Sequence, residues 1–375
     1  MNIAVNTRLL IVNKLEGIGW FTYESLKLIT TQHPEHHFFF IFDREYDHQF
    51  IFSDNITPII QYPQARHPIL YYTWFEMAIP KLFDKIRPDL FLSPDGFLSL
   101  KTPVKSLTVF HDLNFEHYPQ DIPYWTRKYY RRYFPKYASK AIRIATVSEF
   151  SKSDIVKQYH VSPEKIDVVY DGANDAYQPI KKGNREKTRA KFSGGHPYFV
   201  FIGSLHPRKN LVNLFRAFDL FKKSNPSEVK LLIVGAKKWW TKDIDAAFNR
   251  MVFSDDVIFT GRLNIDELKV VLGSALALTY ISYFEGFGIP IIEAFRAEVP
   301  VITSNVTSMP EVAGDAALFV DPFDPDSIAE ALYKAYQYES LREDLIIRGR
   351  RRKSLFSWQQ TADRLWESIE KANKA

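Results

Sequence analysis

Tyr283–Phe295 reads Y-F-E-G-F-G-I-P-I-I-E-A-F and follows a short apolar run, which is typical of a strand-to-helix loop. Its two glycines allow positive φ and a close approach of the backbone to a ligand. Pro290 suits the first turn of a helix, and the unpartnered N–H groups of such a helix can bind a phosphate. Glu285 is predicted in the loop and Glu293 in the first helical turn, so the two carboxylates can reach different parts of one ligand.

Outward from this loop, short β-rich runs alternate with amphipathic helical runs, such as Phe21–Thr31 and Tyr124–Ser139. This alternation predicts an α/β protein with two Rossmann-like, doubly wound parallel-sheet domains that face each other across a cleft. Ligands bind at the carboxyl ends of such strands, so each strand-to-helix loop is a candidate site. The predicted strands are Asn2–Asn6, Phe38–Phe42, Leu90–Ser93, Ser106–Phe110, Ala141–Val147, Ile166–Val169, Tyr198–Ile202, Lys230–Val234, Val257–Thr260, Leu276–Tyr280, Val301–Thr303 and Leu318–Val320.

The length of 375 residues exceeds what one hydrophobic core usually serves, which predicts two domains. The boundary is expected in the polar stretch Asp175–Glu186, where Pro179 and Gly183 act as breakers. We therefore expect an N-terminal domain over residues 1–178, a C-terminal domain over residues 187–356 and a closing helix over residues 357–375.

Composition narrows the possible partners and location. Cysteine is absent, which excludes disulfides, thiolate metal sites and a cysteine nucleophile. A net charge of +5 and a pI near 9.0 favour anionic ligands or an anionic membrane face, but they do not indicate nucleic acid. The N-terminal run lacks the pattern of a signal peptide, and no apolar run approaches the roughly 20 residues of a membrane span, so a cytoplasmic protein is expected.

A basic pair follows another predicted strand: after Gly203, Arg208 and Lys209 precede a helix. Arginine offers a planar fork and lysine a point charge, so the pair can clamp a diphosphate. A solvated turn would have the same sequence. The pair belongs to the same predicted domain as Glu285 and Glu293, which favours phosphate binding.

The first half of the chain holds two further candidate sites. Gly17 and Gly19, in E-G-I-G-W-F-T, suit a loop whose backbone approaches a ligand before it enters a helix. The segment is not G-x-G-x-x-G and no acid follows a clear second strand, so a dehydrogenase is not favoured. His111, followed by Asp112, ends a strand and can donate a hydrogen bond to a sugar or an acceptor, or be purely structural.

Acidic and histidine clusters give no convincing metal site, and we expect neither a metal nor a cofactor. Asp324–Asp326 precedes I-A-E-A-L and is interpreted as a helix cap. Asp243–Asp245 is interpreted as a helical surface, and His33, His36 and His37 lack a matching carboxylate or cysteine pattern.

Together these motifs resemble the retaining GT-B glycosyltransferases of family 4, over nearly the whole chain. In that family the donor is a nucleotide sugar held mainly by the C-terminal domain, the N-terminal domain binds the acceptor, and no metal is needed. The closing helix of most members packs back onto the first domain. The resemblance rests on E-G-I-G at Glu16–Gly19, F-H-D at Phe110–Asp112, T-V-S-E-F-S at Thr146–Ser151, G-S-L-H-P-R-K-N at Gly203–Asn210, F-T-G-R-L at Phe259–Leu263 and E-G-F-G-I-P-I-I-E-A at Glu285–Ala294.

The resemblance implies a role for each matched position. Arg208 and Lys209 would hold the diphosphate, and Glu293 would accept hydrogen bonds from the ribose hydroxyls. Glu285 would face the donor sugar and His111 would line the sugar and acceptor site, which makes these two residues and the basic pair the expected catalytic set. The other expected donor-binding residues are Gly17 and Gly19 beside the phosphates, Gly203, Arg262 and Leu263 beside the base, and Phe287, Gly288 and Ile289 beside the sugar.

Likeness to bacterial mannosyltransferases of surface polysaccharide assembly favours GDP-mannose as donor, with UDP-glucose or another hexose donor as alternatives. Retention would use the departing phosphate as base, which fits the lack of an obvious nucleophile. A glycoside hydrolase with Glu285 and Glu293 as its carboxylates has no need for the basic pair. A solute-binding protein is disfavoured by the lack of a signal peptide, and a catalytically silent relative by the intact charged set.

Trp125–Lys140 reads W-T-R-K-Y-Y-R-R-Y-F-P-K-Y-A-S-K, a basic helical segment with interleaved aromatic residues and no acid. Such a helix suits an anionic headgroup layer, where it would present a lipid-linked saccharide acceptor to the first domain. It could equally pack its aromatic residues inward and leave a solvated basic face. Peripheral contact with the inner face of the cytoplasmic membrane is therefore one of two interpretations.

Overall fold

A computed structural model describes Met1–Ala375, and the chain divides into two compact units. Met1–Gly172 and Ser357–Ala375 form the first unit, and Ala173–Phe356 forms the second. Each unit is built on one parallel sheet with α-helices in most of the crossovers, which confirms the predicted pair of doubly wound α/β domains.

The first unit contains a seven-stranded sheet of order β3-β2-β1-β4-β5-β6-β7. Central strand β1 pairs with β2 on one side and β4 on the other, and Ile3, Ala4 and Val5 are fully buried, so it reads as a continuous apolar run. The strands are β1 Asn2–Asn6, β2 His37–Phe42, β3 Ile56–Ile60, β4 Leu90–Ser93, β5 Lys105–Phe110, β6 Arg143–Thr146 and β7 Ile166–Val168. The helices are α1 Gly17–Gln32, α2 Pro68–Thr73, α3 Ile79–Ile86, α4 Asn114–His117, α5 Tyr124–Lys140 and α6 Glu149–Tyr159, with a π-helical turn at Trp74–Ala78.

The second unit contains a six-stranded sheet of order β10-β9-β8-β11-β12-β13. The strand order reverses between β8 and β11, which is the place where doubly wound sheets open a crevice for a ligand. The strands are β8 Tyr198–Ile202, β9 Lys230–Val234, β10 Val257–Gly261, β11 Ala277–Tyr280, β12 Val301–Ser304 and β13 Ala317–Val320. The helices are α7 Lys182–Ser193, α8 Leu211–Ser224, α9 Lys242–Asn249, α10 Ile265–Gly273, α11 Ile289–Arg296, α12 Met309–Ala313, α13 Pro325–Gln337 and α14 Glu339–Arg352.

The last helix, α15 at Trp358–Lys374, lies in the first unit. The Thr361 hydroxyl donates to the Tyr170 carbonyl at 2.6 Å, and the Ser368 hydroxyl donates to the Asp167 carboxylate at 2.7 Å. The Trp366 ring stacks on the His33 ring with a centroid distance of 3.7 Å. Aromatic stacking and hydrogen bonds thus join the chain terminus to the sheet and helices of this unit.

Every predicted strand is present, with ends that differ by at most two residues. Strand β3 is absent from the sequence prediction because Pro58 interrupts a short run, as it can at the edge of a sheet. The predicted cap is confirmed, since the Asp324 carboxylate accepts a hydrogen bond from the Asp326 N–H, and the Asp243 and Asp245 carboxylates lie in the first turn of α9.

Membrane-spanning segments are not found among the helices, none of which combines the length and apolar character needed to cross a bilayer.

Candidate functional site

The basic pair and one glutamate meet where the strand order of the second sheet reverses. Arg208 and Lys209 lie in a 3₁₀ turn just after β8, and Glu285 follows β11. The Lys209 ammonium lies 2.6 Å from one carboxylate oxygen of Glu285, and the Arg208 guanidinium lies 3.8 Å from the other. The structure therefore joins two sequence motifs that are more than seventy residues apart into one charged cluster.

Burial strengthens the electrostatic interaction between the charged side chains of this cluster. Lys209 is 7% exposed and Glu285 is 5% exposed. Burial alone would raise the pKa of the Glu285 carboxyl, but the Arg208 and Lys209 charges outweigh it and lower the pKa to about 2. Glu285 is therefore ionised at neutral pH, and Arg208 and Lys209 place two cations beside it, a concentration of positive charge that suits an anion.

Tyr280 is a member of this cluster that the sequence analysis missed. Its hydroxyl accepts a hydrogen bond from Lys209 at 2.7 Å, and the ammonium lies 4.6 Å from the centre of its ring. Tyr280 ends the apolar strand β11, so in the sequence it cannot be told from an ordinary core aromatic residue.

Helix α11 begins at Ile289, directly after Gly288, whose φ of 113° is left-handed. A Cβ at this position would lie 3.1 Å from the Ile291 side chain and 3.4 Å from the Tyr280 ring, so both the conformation and the space favour glycine. No side chain caps the helix, and Pro290 lies in its first turn as predicted. Pro290 has no N–H and the Ile291 N–H donates to the Gly288 carbonyl at 2.9 Å, which leaves the Ile289 N–H as the first-turn donor for an anion.

Glu293 lies after the first turn of α11, not within it as predicted, because the helix already begins at Ile289. Burial raises the pKa of the Glu293 carboxyl to about 7, and an interaction with the Tyr177 hydroxyl opposes the rise. The two glutamates of one motif therefore have opposite electrostatic character. Sequence reasoning missed Tyr177, which lies in the polar stretch interpreted as a linker and is nevertheless buried.

The other predicted donor-side residues lie along the same sheet edge. Gly203 directly follows β8, and its N–H donates to the Val234 carbonyl at 3.0 Å. Arg262 and Leu263 follow β10, two strands away from β8. Phe287 is buried and packs edge-on against the Phe356 ring at 5.5 Å. The candidates for the phosphate side and the base side therefore follow β8 and β10, with β9 between these two strands.

In the first unit, Gly17 and Gly19 lie in the first turn of α1. The prediction of a loop that precedes the helix is wrong here, because the helix begins at Gly17 rather than at Phe21. Glu16 occupies the cap position without a side-chain hydrogen bond to the helix, and no atom lies within 4 Å of a Cβ built at Gly17. The open helix terminus can still present N–H groups to an anion.

His111 follows β5, and its Nε2 lies 2.8 Å from the Pro94 carbonyl oxygen. A carbonyl oxygen only accepts, so Nε2 carries the proton, and burial lowers the pKa of His111, which keeps the ring neutral at pH 7. Nδ1 is then an acceptor. The neutral His111 ring therefore has no second N–H to donate to a sugar, as the sequence prediction required, and Nδ1 can only accept a hydrogen bond.

A buried polar network near His111 was also missed. Arg8 Nε lies 2.6 Å from the Asp95 carboxylate, and Asn6 donates to the same carboxylate at 2.8 Å. The Arg8 guanidinium also lies 4.4 Å from the centre of the Phe97 ring. The only signal in the sequence is that Arg8 interrupts the apolar N-terminal run.

Two family models match the chain, one in each half. Residues 184–352 match the model described as glycosyl transferases group 1, and residues 25–177 match glycosyltransferase family 4.

Among curated proteins, the chain is 30% identical to O-antigen chain mannosyltransferase B of Escherichia coli, over 68% of this chain and 67% of that protein. It is 32% identical to O-antigen chain mannosyltransferase RfbU of Salmonella typhimurium, over 61% of this chain and 60% of that protein. The match thus spans about two thirds of each relative.

Among solved structures, Anabaena Alr3699/HepE in complex with UDP and glucose superposes with a TM-score of 0.78 at 15% identity, over 99% of this chain and 100% of that chain. At this identity the likeness concerns the fold. With both family models matched and relatives at 30% identity or more, the chain belongs to the family 4 glycosyltransferases and has the GT-B fold.

Proposed function

We propose that the protein is a retaining hexosyltransferase that moves a sugar from a nucleotide donor to a saccharide or lipid-linked saccharide acceptor. The main support is the buried cluster of Arg208, Lys209 and Glu285, which lies where the strand order of the second sheet reverses. The names of the two O-antigen mannosyltransferase relatives support GDP-mannose as donor and bacterial surface polysaccharide synthesis as the setting. UDP-glucose is the alternative, because a fold neighbour binds UDP and glucose.

In the proposed reaction, negative charge develops on the departing diphosphate. The Arg208 and Lys209 side chains and the N-terminus of α11 supply fixed positive potential there, which stabilises the leaving group without reorganisation. The acceptor hydroxyl attacks from the face of the leaving group, and the departing phosphate takes its proton. Nδ1 of neutral His111 would accept a hydrogen bond from a sugar or acceptor hydroxyl and orient it.

Glu293 is proposed to accept hydrogen bonds from the ribose hydroxyls, with Arg262 and Leu263 beside the base and the Phe287–Ile289 backbone beside the sugar. Gly17, Gly19 and Gly203 would border the phosphates. No metal and no cofactor is assigned, because positive charge at the diphosphate is already supplied by side chains and helix termini.

A panel of nucleotide sugars tests the proposal, scored by thermal shift and by release of nucleoside diphosphate, with and without EDTA. GDP-mannose is expected to give the largest shift and the fastest release, unchanged by EDTA. Fastest release from UDP-glucose would replace the donor. Loss of activity with EDTA that magnesium or manganese restores would overturn the metal-free assignment, and saccharide hydrolysis without any nucleotide would favour a glycosidase.

We also propose peripheral contact with the inner face of the cytoplasmic membrane through α5. Tyr129, Phe134 and Tyr137 of this helix lie in the core, which leaves only part of its aromatic content for a surface role. Trp125, however, is 62% exposed, and Lys128, Arg132 and Lys136 lie exposed at helical spacing after it. One face of α5 thus combines an aromatic ring with a row of cations.

The neighbouring helix α2 adds apolar surface to this face. The Tyr72 ring lies 6.4 Å from the Tyr133 ring of α5, and Ile69 and Met77 are exposed beside it in the chain. Glu76, the only acid of Pro68–Ala78, is buried and accepts hydrogen bonds from the Leu100 N–H. Exposed apolar side chains next to cations suit an anionic lipid surface, which would bring a lipid-linked acceptor to the first unit.

A further inference from the structure

Hydroxyl side chains of Val301–Ser308, which covers β12 and the loop after it, bond to the backbone of the segment that carries Glu285. The Thr303 hydroxyl donates to the Tyr280 carbonyl at 2.8 Å, and the Ser304 hydroxyl donates to the Ser282 carbonyl at 2.6 Å. Thr307 and Ser308 continue the series beside Glu285 itself. The two segments are therefore tied side by side from the end of β11 to the start of α11.

Glu285 is bonded through both of its backbone polar groups. Its N–H donates to the Thr307 hydroxyl at 3.3 Å. The Ser308 hydroxyl, which is fully buried, lies 3.0 Å from the Glu285 carbonyl and 2.9 Å from the Phe287 carbonyl, so it donates to one of the two at a time. Neither hydroxyl contacts the Glu285 carboxylate, so their effect on it can only pass through the backbone.

Thr307 has a φ of 57°, in the left-handed region. A β-branched residue is rare in that region, because its Cβ substituents crowd the backbone. Such a conformation is strained and persists only where the surroundings impose it, often at functional sites. Glycine would relieve the strain but would lack the hydroxyl that receives the Glu285 N–H.

The Glu285 carboxylate must be positioned accurately because its two oxygens contact different cations. One oxygen contacts Lys209 at 2.6 Å and the other lies 3.8 Å from Arg208. A small displacement of the Glu285 backbone would break one of these two contacts and so change how the carboxylate is placed between the two cations. Displacements of about 1 Å remote from the chemistry can lower the rate about 100-fold.

We propose that Thr307 and Ser308 are positioning residues, which fix the Glu285 backbone. One carboxylate oxygen then stays near Arg208 and the other near Lys209 during sugar transfer. This rests on the proposed function. It adds that the strained Thr307 is retained for turnover at the expense of stability.

Four Thr307 and Ser308 variants test the proposal by kcat, KM for the nucleotide sugar and Tm. Thr307→Val keeps shape and strain but removes the hydroxyl, and Ser308→Ala removes the second hydroxyl. Both are expected to lower kcat about tenfold to 100-fold with little change in KM. Thr307→Ser keeps the hydroxyl and is expected to retain most of the wild-type kcat.

Thr307→Gly separates positioning from plain structural support. It removes the strain and the hydroxyl together, so we expect Tm to stay level or rise while kcat falls. A kcat that falls only in proportion to a lower Tm would overturn the proposal.

Thr279→Val is the matched control, because the buried Thr279 hydroxyl donates to the Val200 carbonyl at 3.1 Å within the same sheet, away from the Glu285 loop. It is expected to lower Tm and leave kcat unchanged. If Thr307→Val behaves like this control while the wild-type enzyme turns over, the positioning role is wrong and the proposed function stands. If the wild-type enzyme releases no nucleoside diphosphate from any donor, both fall.

Discussion

The two units place polar clusters at corresponding strand ends, but the clusters differ in charge. In the second unit, two cations, Arg208 and Lys209, lie beside one buried carboxylate, that of Glu285. In the first unit, Arg8 is matched by Asp95, and the nearby His111 is neutral. A surplus of positive charge suits a diphosphate, whereas a balanced polar site suits the hydroxyl groups of a sugar. The proposed division between donor and acceptor follows from this difference.

Removing the surplus charge should have the largest effect. Arg208→Ala/Lys209→Ala is expected to abolish turnover and to weaken binding of nucleoside diphosphate, since each charged hydrogen bond contributes about 1.5 to 3 kcal/mol. Isothermal calorimetry measures the affinity, and circular dichroism checks that the fold is intact.

The control for this double variant is Lys222→Ala, which removes a buried lysine that lies 2.7 Å from Asp256 in the same unit. It is expected to lose stability and keep nucleotide affinity. A double variant that binds nucleoside diphosphate as tightly as the wild-type protein would contradict the clamp.

Glu285→Gln should produce the next largest effect. Unlike the double variant, it is not expected to weaken the binding of nucleoside diphosphate. The substitution changes the cluster from two cations and one anion to two cations, so the affinity for nucleoside diphosphate is not expected to fall. Turnover is expected to fall about 100-fold, as when a preorganised group at a reacting centre is removed. A variant that loses nucleotide affinity and keeps kcat would refute the assignment of Glu285 to the sugar.

Lys209 and Glu285 show how much of the site could be predicted from the sequence. The turn, the helix start at Pro290 and the basic pair carry local signals, because glycine, proline and charge have direct conformational or electrostatic meaning. The contact between Lys209 and Glu285 has no local signal, since it depends on β8 and β11 being neighbours although two strands separate them in the chain. The reversal of strand order, not the motif, brings them together.

Tyr177 and Tyr280 show a second limit of sequence reasoning. Both are buried aromatic residues, and in the sequence nothing separates a tyrosine that bonds a charged group from one that only packs. Likewise, Nδ1 of His111 is an acceptor because Nε2 donates to the Pro94 carbonyl, which is seventeen residues away in the chain. Such details require the tertiary structure.

Glu293 gives a smaller, pH-dependent effect. If the ionised carboxylate accepts hydrogen bonds from the ribose, the affinity for nucleoside diphosphate should weaken as the pH falls through about 7, where the carboxyl takes up a proton. Glu293→Gln is expected to lower the affinity about tenfold at pH 8 and to remove this pH dependence, while kcat changes less. Calorimetry between pH 6 and pH 8 measures both effects, with Glu285→Gln as the control that keeps the dependence.

The stability of the folded protein should also depend on pH through Glu293. The folded-state pKa of Glu293 lies above its ordinary value of 4.5, so the folded state binds the proton more tightly than the unfolded chain. This contribution to stability is complete below pH 4.5 and is lost as the pH rises through about 7. Glu293→Gln is therefore expected to raise Tm relative to the wild-type protein at pH 8, and an unchanged difference between pH 6 and pH 8 would contradict the raised pKa.

The membrane proposal carries the smallest expected effect and extends the comparison to the surface of the first unit. Replacing Lys128, Arg132 and Lys136 with Gln is expected to reduce recovery with anionic vesicles in liposome flotation, since each cation near such a surface contributes about 1 kcal/mol. The matched control removes the same charge from α7 of the second unit, by Gln substitution of Lys182, Arg185 and Lys187, which are also exposed. Because net charge alone would lower both recoveries equally, only a larger loss in the α5 variant supports a specific surface. Equal recovery of the wild-type protein with neutral and anionic vesicles would leave α5 as a helix that packs its aromatic residues inward and keeps a solvated basic face.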